Sequence, residues 1–185
     1  EMYLAQACAR YLVGRGADKD VLKYVEQRLP GADDARRREL EEMKERVGWT
    51  PLHVAAEGRD SGLVDRLIAK GAEVNARAAN GQTPLHVAAA RGNYGTLRAL
   101  VQHHADPNAE DIKGRRPAEL GIRYEGVVTM LLDAGAVPND ILVASYAGRA
   151  DIVKALLAKD KSLARTALPD GDTPLHFAAE RDHEL

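Results

Sequence analysis

Six histidines and one cysteine are the side chains of this 185-residue sequence best suited to metal binding or nucleophilic chemistry. Three of the histidines, His53, His86 and His176, each close a Thr-Pro-Leu-His phrase: Thr50 to His53, Thr83 to His86 and Thr173 to His176. A shared metal would need these rings within about 2 Å of one ion. They occupy the same slot of a recurring phrase, however, and neighbouring packed helices lie roughly 8–10 Å apart. The expectation is that each ring bonds the adjacent backbone and the threonine hydroxyl instead. His103 and His104 are adjacent in sequence, so on a helix they diverge. His104 takes the slot held by Gly71 one unit earlier, which predicts a left-handed, helix-ending backbone rather than a metal site. Cys8 lies in an Ala-rich stretch that suits a small buried thiol. Asp170-Gly171-Asp172 begins like a calcium loop but runs into a helix start without the distal ligands, so Asp170 reads as a turn residue. No Gly-rich phosphate loop, His-Glu-x-x-His, paired Cys-x-x-Cys or nucleophile elbow occurs. No catalytic residue, cofactor or metal is expected.

The elements that position these histidines repeat. Gly48-Trp49-Thr50-Pro51-Leu52-His53-Val54-Ala55-Ala56 returns 33 residues later as Gly81-Gln82-Thr83-Pro84-Leu85-His86-Val87-Ala88-Ala89. A third copy runs from Gly171 to Ala179, and a degraded one from Gly114 to Gly121. Threonine before proline is a helix cap followed by the first helical position, where the missing proline N–H costs nothing. Leu52, Ala55 and Ala56 then recur at helical spacing, and the small alanines let another helix approach closely. Gly92 ends that helix in the second copy, and Leu97, Leu100 and Val101 begin a second apolar period. Each unit is therefore a helix pair followed by a turn-rich stretch such as Gly71 to Ala76, and such units must stack to bury both faces.

The period and the Thr-Pro-Leu-His-x-Ala phrase resemble the ankyrin repeat. The resemblance implies an all-α solenoid of stacked antiparallel helix pairs with hairpin-like loops, in which the phrase histidine is structural. Repeats are expected at 47–78, 79–111, 112–135, 136–166 and, in part, 167–185. They follow a diverged capping helix pair over 1–30, read from "MYLAQACARYLVG" and "DKDVLKYVEQRL", and a charged helical insertion over 31–46. That insertion has Asp33 or Asp34 as its cap and a pairing of Glu42 with Arg46; its Arg36, Arg37 and Arg38 read as a solvated face more readily than as a basic docking patch. Two departures stand out. The third unit is two residues shorter between Pro117 and Gly135 than the first is between Pro51 and Gly71, a loss assigned to the inter-helix turn around Arg123 to Gly126. The fourth lacks about eight residues of its hairpin finger between Gly135 and Asp140, which predicts a gap in the row of fingers.

With 26 basic and 28 acidic side chains the net charge is −2, so no broad positive field favours nucleic acid. No apolar run spans a bilayer and no signal peptide is visible, which makes a cytoplasmic location, without membrane insertion, the expectation. The closing Asp182-His183-Glu184-Leu185 has the wrong order for a retrieval signal and reads as the turn of a repeat cut short. The favoured function is a non-enzymatic scaffold, monomeric on its own, that binds another protein or peptide on a concave surface of finger tips and first helices. A regulatory or targeting domain of a larger enzyme, whose catalytic part lies outside this chain, is the alternative. The resemblance places partner contacts at Val47, Trp49, Asn80, Gln82, Lys113, Arg115 and Asp172 on the tips. At the helix ends it places them at Glu57, Arg91, Tyr124, Tyr146, Glu180 and Arg181. Trp49 reads equally as packing between fingers. On the contact reading, replacing Trp49 and Tyr146 by alanine weakens binding and leaves melting nearly unchanged.

Overall fold

The computed structural model describes residues 34–35, 37–38, 46–168 and 171–180. The capping pair over 1–30 with Cys8, most of the charged insertion with Arg36 and Glu42, Asp170 and residues 181–185 fall outside the described residues. Of the insertion, Asp34, Ala35, Arg37 and Arg38 are helical and exposed. All regular structure among the described residues is helical.

Helices α1 (Pro51–Glu57), α3 (Pro84–Ala90), α5 (Pro117–Leu120), α7 (Ile141–Tyr146) and α9 (Pro174–Glu180) are the first helices of successive units. Each of the first four is followed by a second helix: α2 (Ser61–Ala69), α4 (Tyr94–Gln102), α6 (Glu125–Asp133) and α8 (Ala150–Lys159). A short 3-10 helix, Lys161–Arg165, follows α8. First helices pack on first helices and, through the third unit, second helices on second helices, giving two rows with the core between them. That core is aliphatic: Leu52, Leu85, Leu97, Leu100, Val64, Val127 and Leu131 are fully buried, with alanines where helices approach closely.

Each first helix except α7 begins at the proline, and α7 is capped instead by Asp140, whose Oδ1 accepts the Leu142 and Val143 N–H groups at 2.8 and 3.2 Å. The first three second helices run into left-handed residues, Gly71, His104 and Gly135, whereas α8 runs into Asp160 in extended backbone. In those three the amide that follows the left-handed residue reaches back, as in Ala105 N–H to Leu100 O at 3.0 Å. His104 is the non-glycine residue that adopts this conformation, at φ +60°. Its sequence slot foretold that.

Between units the chain makes fingers. In the second, Ala78 N–H bonds Gln82 O at 2.9 Å; in the third, Asp111 N–H bonds Arg115 O at 2.9 Å. Adjacent fingers are laddered, with Ala79 N–H on Val47 O at 3.0 Å and Ile112 N–H on Asn80 O at 3.1 Å. The tip glycines are doubly constrained. Gly81 has φ +77°, and a Cβ there would stand 2.8 Å from Ile112 N in the next finger.

The two shortened units differ from expectation in instructive ways. The third unit does not lose its turn. Its first helix, α5, stops after four residues where α3 runs seven, and the connection to α6 is one residue longer than the one between α3 and α4. In the fourth unit the stretch from Gly135 to Asp140 is seven residues shorter than the equivalent from Gly71 to Thr83, and no finger stands there. The α5–α7 contact is accordingly the sparsest between neighbouring first helices, and α6 scarcely meets α8.

Gly114 repeats the geometry of Gly81, at φ +74°, but a Cβ there meets nothing within 4 Å. Gly114→Ala should therefore cost about 1 kcal/mol, the strain of the left-handed backbone alone, while Gly81→Ala should cost at least about 2–3 kcal/mol, because a neighbouring backbone must also move. Urea denaturation of the two variants measures this; equal losses would contradict the laddered packing.

Candidate functional site

The histidines are the best-defined polar groups of the stack. His53 Nδ1 accepts the Thr50 N–H at 3.1 Å and lies 2.9 Å from the Thr50 hydroxyl. His86 repeats both contacts on Thr83 at 3.1 and 2.9 Å. Because Nδ1 is an acceptor, the ring proton is on Nε2. From there His53 donates to Gln82 O at 3.0 Å and His86 to Arg115 O at 3.0 Å, each in the finger of the following unit. The rings are fully buried. Burial holds both imidazoles below their ordinary pKa, against the raising effect of the carbonyl each one bonds; for His86 nearby charged groups add smaller effects of both signs. His176 makes the same threonine contacts at 3.0 Å on an exposed ring. His103 Nε2 lies 2.9 Å from Asp65 Oδ1 of the preceding unit. Among the described residues no group of three metal-ligating side chains gathers.

Several candidate contact residues are engaged in the turns. Asn80 Oδ1 accepts the Gln82 N–H at 3.0 Å. Arg115 grips Asp111 Oδ2 through Nε at 2.9 Å and Nη2 at 2.7 Å, while Asp111 Oδ1 accepts the Lys113 and Arg115 amides at 2.8 and 3.0 Å. Burial would raise the Asp111 pKa, but these donors, Arg115 foremost, hold it below the usual carboxylate range. Glu57 Oε1 is shared by Arg46 and Arg91, each at 2.8 Å, so two helix-end candidates are bonded to each other across adjacent units. Lys113 and Arg91 are exposed; Gln82, Arg115, Glu57 and Asp172 are half-buried.

Three candidates are instead packed inside. Val47 and Trp49 are 2% and 5% exposed, with the Trp49 ring stacked on His53 at 6.0 Å and the Arg46 guanidinium 5.4 Å above it. Tyr146, 2% exposed, is the last residue of α7, but its side chain is buried rather than offered at the surface. It lies six residues after its cap, the slot of Ala56 and Ala89. Its hydroxyl donates to Glu125 O at 2.9 Å and lies 3.1 Å from Thr129 Oγ1, and its ring meets Phe177 edge-on at 6.3 Å. Alanine at Trp49 and Tyr146 would thus remove core, not contact surface. Tyr124 is half-exposed, but it caps α6 in the slot of Asn93 and its ring covers Gly92, where a Cβ would come within 2.7 Å. The side chain of Glu180 and all of Arg181 lie outside the described residues.

Some structural keys escaped the sequence reading. Asn93 Nδ2 binds Ala56 O, Glu57 O and Gly58 O at 3.1, 2.8 and 2.9 Å, tying the end of α1 to the start of α4. Asn108 holds the truncated linker, donating to Gly135 O at 3.0 Å and accepting the Val137 N–H at 2.7 Å. Ile112, on a finger, and Val137, in the linker, are 70% and 53% exposed. The legible signal was an isoleucine within the otherwise polar tip Asp111-Ile112-Lys113-Gly114.

The family model described as Ankyrin repeats, in three copies, matches residues 6–111 and 52–141. Delta-latroinsectotoxin-Lt1a of Latrodectus tredecimguttatus is 50% identical over 38 residues, which are 20% of this chain and 3% of that protein. The chain thus matches only a small fraction of that relative's length.

The buried rings set a pH dependence. Since folding depresses the pKa of His53 and His86, the unfolded chain binds more protons below about pH 6.5; their contribution is complete above that value and is lost as pH falls through it, by up to about 1.4 kcal/mol per pH unit for each ring. Thermal melts between about pH 7.5 and 5.5 should show wild type losing stability more steeply than a His53→Gln/His86→Gln variant, which starts lower but runs flatter. Parallel slopes would refute the assignment.

Proposed function

The chain belongs to the ankyrin repeat family, and on that premise we propose that it is a non-enzymatic scaffold that holds a partner protein or peptide along its finger tips and first-helix ends. Ankyrin repeats are in general protein-interaction modules, and stacking such units creates an extended binding surface. The observation that carries the reading is a division among the polar side chains. His53, His86, Thr96 and Asn93 are buried and hold unit to unit, whereas Gln82, Lys113, Arg91 and Tyr124 keep exposed surface at the tips and helix ends. His53 and His86, the buried phrase histidines, have both ring nitrogens occupied by structural bonds, which supports the non-catalytic reading.

The proposed contact set is Gln82, Lys113, Arg115 and Asp172 on the tips, with Glu57, Arg91 and Tyr124 at the helix ends. Tyrosine and arginine dominate interface energetics, so Arg91 and Tyr124 are its strongest members.

Binders selected from a displayed library of random peptides and small domains against the full chain test this. An Arg91→Ala/Tyr124→Ala variant should weaken most of them by about tenfold or more, with a smaller loss of stability than Trp49→Ala. Trp49→Ala should instead destabilise the fold by about 3–5 kcal/mol. Recovery of no binder, or binders indifferent to every tip and helix-end substitution, would sink the proposal.

A further inference from the structure

The row of fingers is interrupted at one place, and the interruption has a definite chemistry. Each finger supplies a carbonyl to the next: Val47 O accepts Ala79 N–H and Asn80 O accepts Ile112 N–H, at 3.0 and 3.1 Å. By the 33-residue period the next acceptor is Lys113 O. The fourth unit has no finger, and among the described residues nothing donates to Lys113 O. Gly114 has the conformation of Gly48 and Gly81, but the Cβ position that a neighbouring finger crowds there is open for 4 Å here, and from the linker the Asn139 side chain reaches the tip, donating to Gly114 O at 3.4 Å.

The helix below changes in the matching sense. In the first two units the side chain three residues after the cap is a histidine whose Nε2–H donates to the next finger. In the third unit that side chain is Glu119. One of its oxygens accepts the Arg116 N–H at 2.9 Å, as Nδ1 does in the histidine copies; its other oxygen is an acceptor where the stack otherwise presents a donor. Burial raises its pKa; the Arg116 N–H bond and the Arg115 and Arg116 charges oppose that rise, while the nearby Asp140 carboxylate adds to it. The two neighbouring arginines are already met, Arg115 by Asp111 and Arg116 by Glu110, at 2.7 and 2.9 Å, while the Lys113 side chain is exposed. Exposed Ile112 and Val137 supply apolar surface in the finger and the linker. The linker itself is fixed, since Arg116 Nη1 donates to Val137 O at 2.7 Å and Asn108 holds Val137 N–H at 2.7 Å. Such a site needs little reordering when it is filled.

We propose that the vacant finger position between Lys113 and Val137 is a docking notch for an extended, Lys- or Arg-bearing segment of a partner protein. The segment donates a backbone N–H to Lys113 O, continuing the ladder in the manner of strand addition. It places a basic side chain at Glu119 and an apolar one on Ile112 and Val137. Two acceptors without a donor, flanked by apolar surface, select this occupant over an acidic one. The proposal rests on the scaffold reading and adds to it the partner's chemistry and point of entry.

The test uses the full chain and fluorescein-labelled peptides recovered from a random-peptide library, with affinity read by fluorescence polarisation. Selected sequences should be rich in Lys or Arg next to a β-branched residue. Their affinity should fall at least tenfold on Glu119→Lys, on Ile112→Asp/Val137→Asp, and on a chain whose linker carries a graft of the finger Ala109–Arg115. Glu119→Gln keeps an acceptor, so it should cost less than Glu119→Lys and identifies any loss due to misfolding. Binding that survives all three notch variants but is lost on Arg91→Ala/Tyr124→Ala overturns the notch and leaves the scaffold reading standing. Peptides that are predominantly acidic overturn it as well, and failure to recover any binder overturns both.

Discussion

The structure depends on a buried imidazole that must stay neutral. Nδ1 of the phrase histidine accepts from the threonine at the start of its own helix, and Nε2–H donates to the finger of the next unit. One side chain therefore fixes a helix start and couples two repeats. A protonated ring would carry a second N–H directed at the threonine amide, so the geometry itself demands the neutral form. Everything stacked above is positioned through this bond: the fingers lie in register because their carbonyls are held, and the tip glycines can accept a neighbouring backbone only because that register is kept.

Where the histidine is missing, the coupling changes character. The third unit has Glu119 in its place, a first helix of four residues and no finger following it. These changes belong together. Without a carbonyl to receive it, a donor at that slot has no partner, and Tyr146 of the next unit donates its hydroxyl to Glu125 O of α6 instead. The stack continues through an aromatic plug rather than a histidine bond, and contact between the third and fourth units is thin. In a solenoid, where each repeat is stabilised by its neighbours, the thinnest junction is where the array opens most readily.

The repeat itself was plain in the sequence because a 33-residue period leaves little room for another reading. Helix starts at Pro51, Pro84 and Pro174, the structural role of His53 and His86, and the left-handed His104 all follow from local chemistry repeated at fixed spacing. The departures fall beside the deletions: Tyr146 ends α7 but is buried against α6 and Phe177, and Tyr124 caps α6 while its ring covers Gly92. Trp49, which reads equally as contact or as packing, is packed: its ring is 5% exposed and stacks on His53.

The sequence by itself determined the repeating unit, the proline-marked helix starts and the bond of each phrase histidine to its own threonine, because each rests on contacts within a few residues of the chain; the Nε2 bond to the next finger spans 29 residues. Only the tertiary structure decided which side chains at those slots face water. It also decided that Tyr146 is buried against α6 and Phe177, and that no finger follows the one that carries Lys113. These outcomes depend on what the neighbouring unit brings to the interface, about 33 residues away in sequence, and local propensity carries no information about that partner surface.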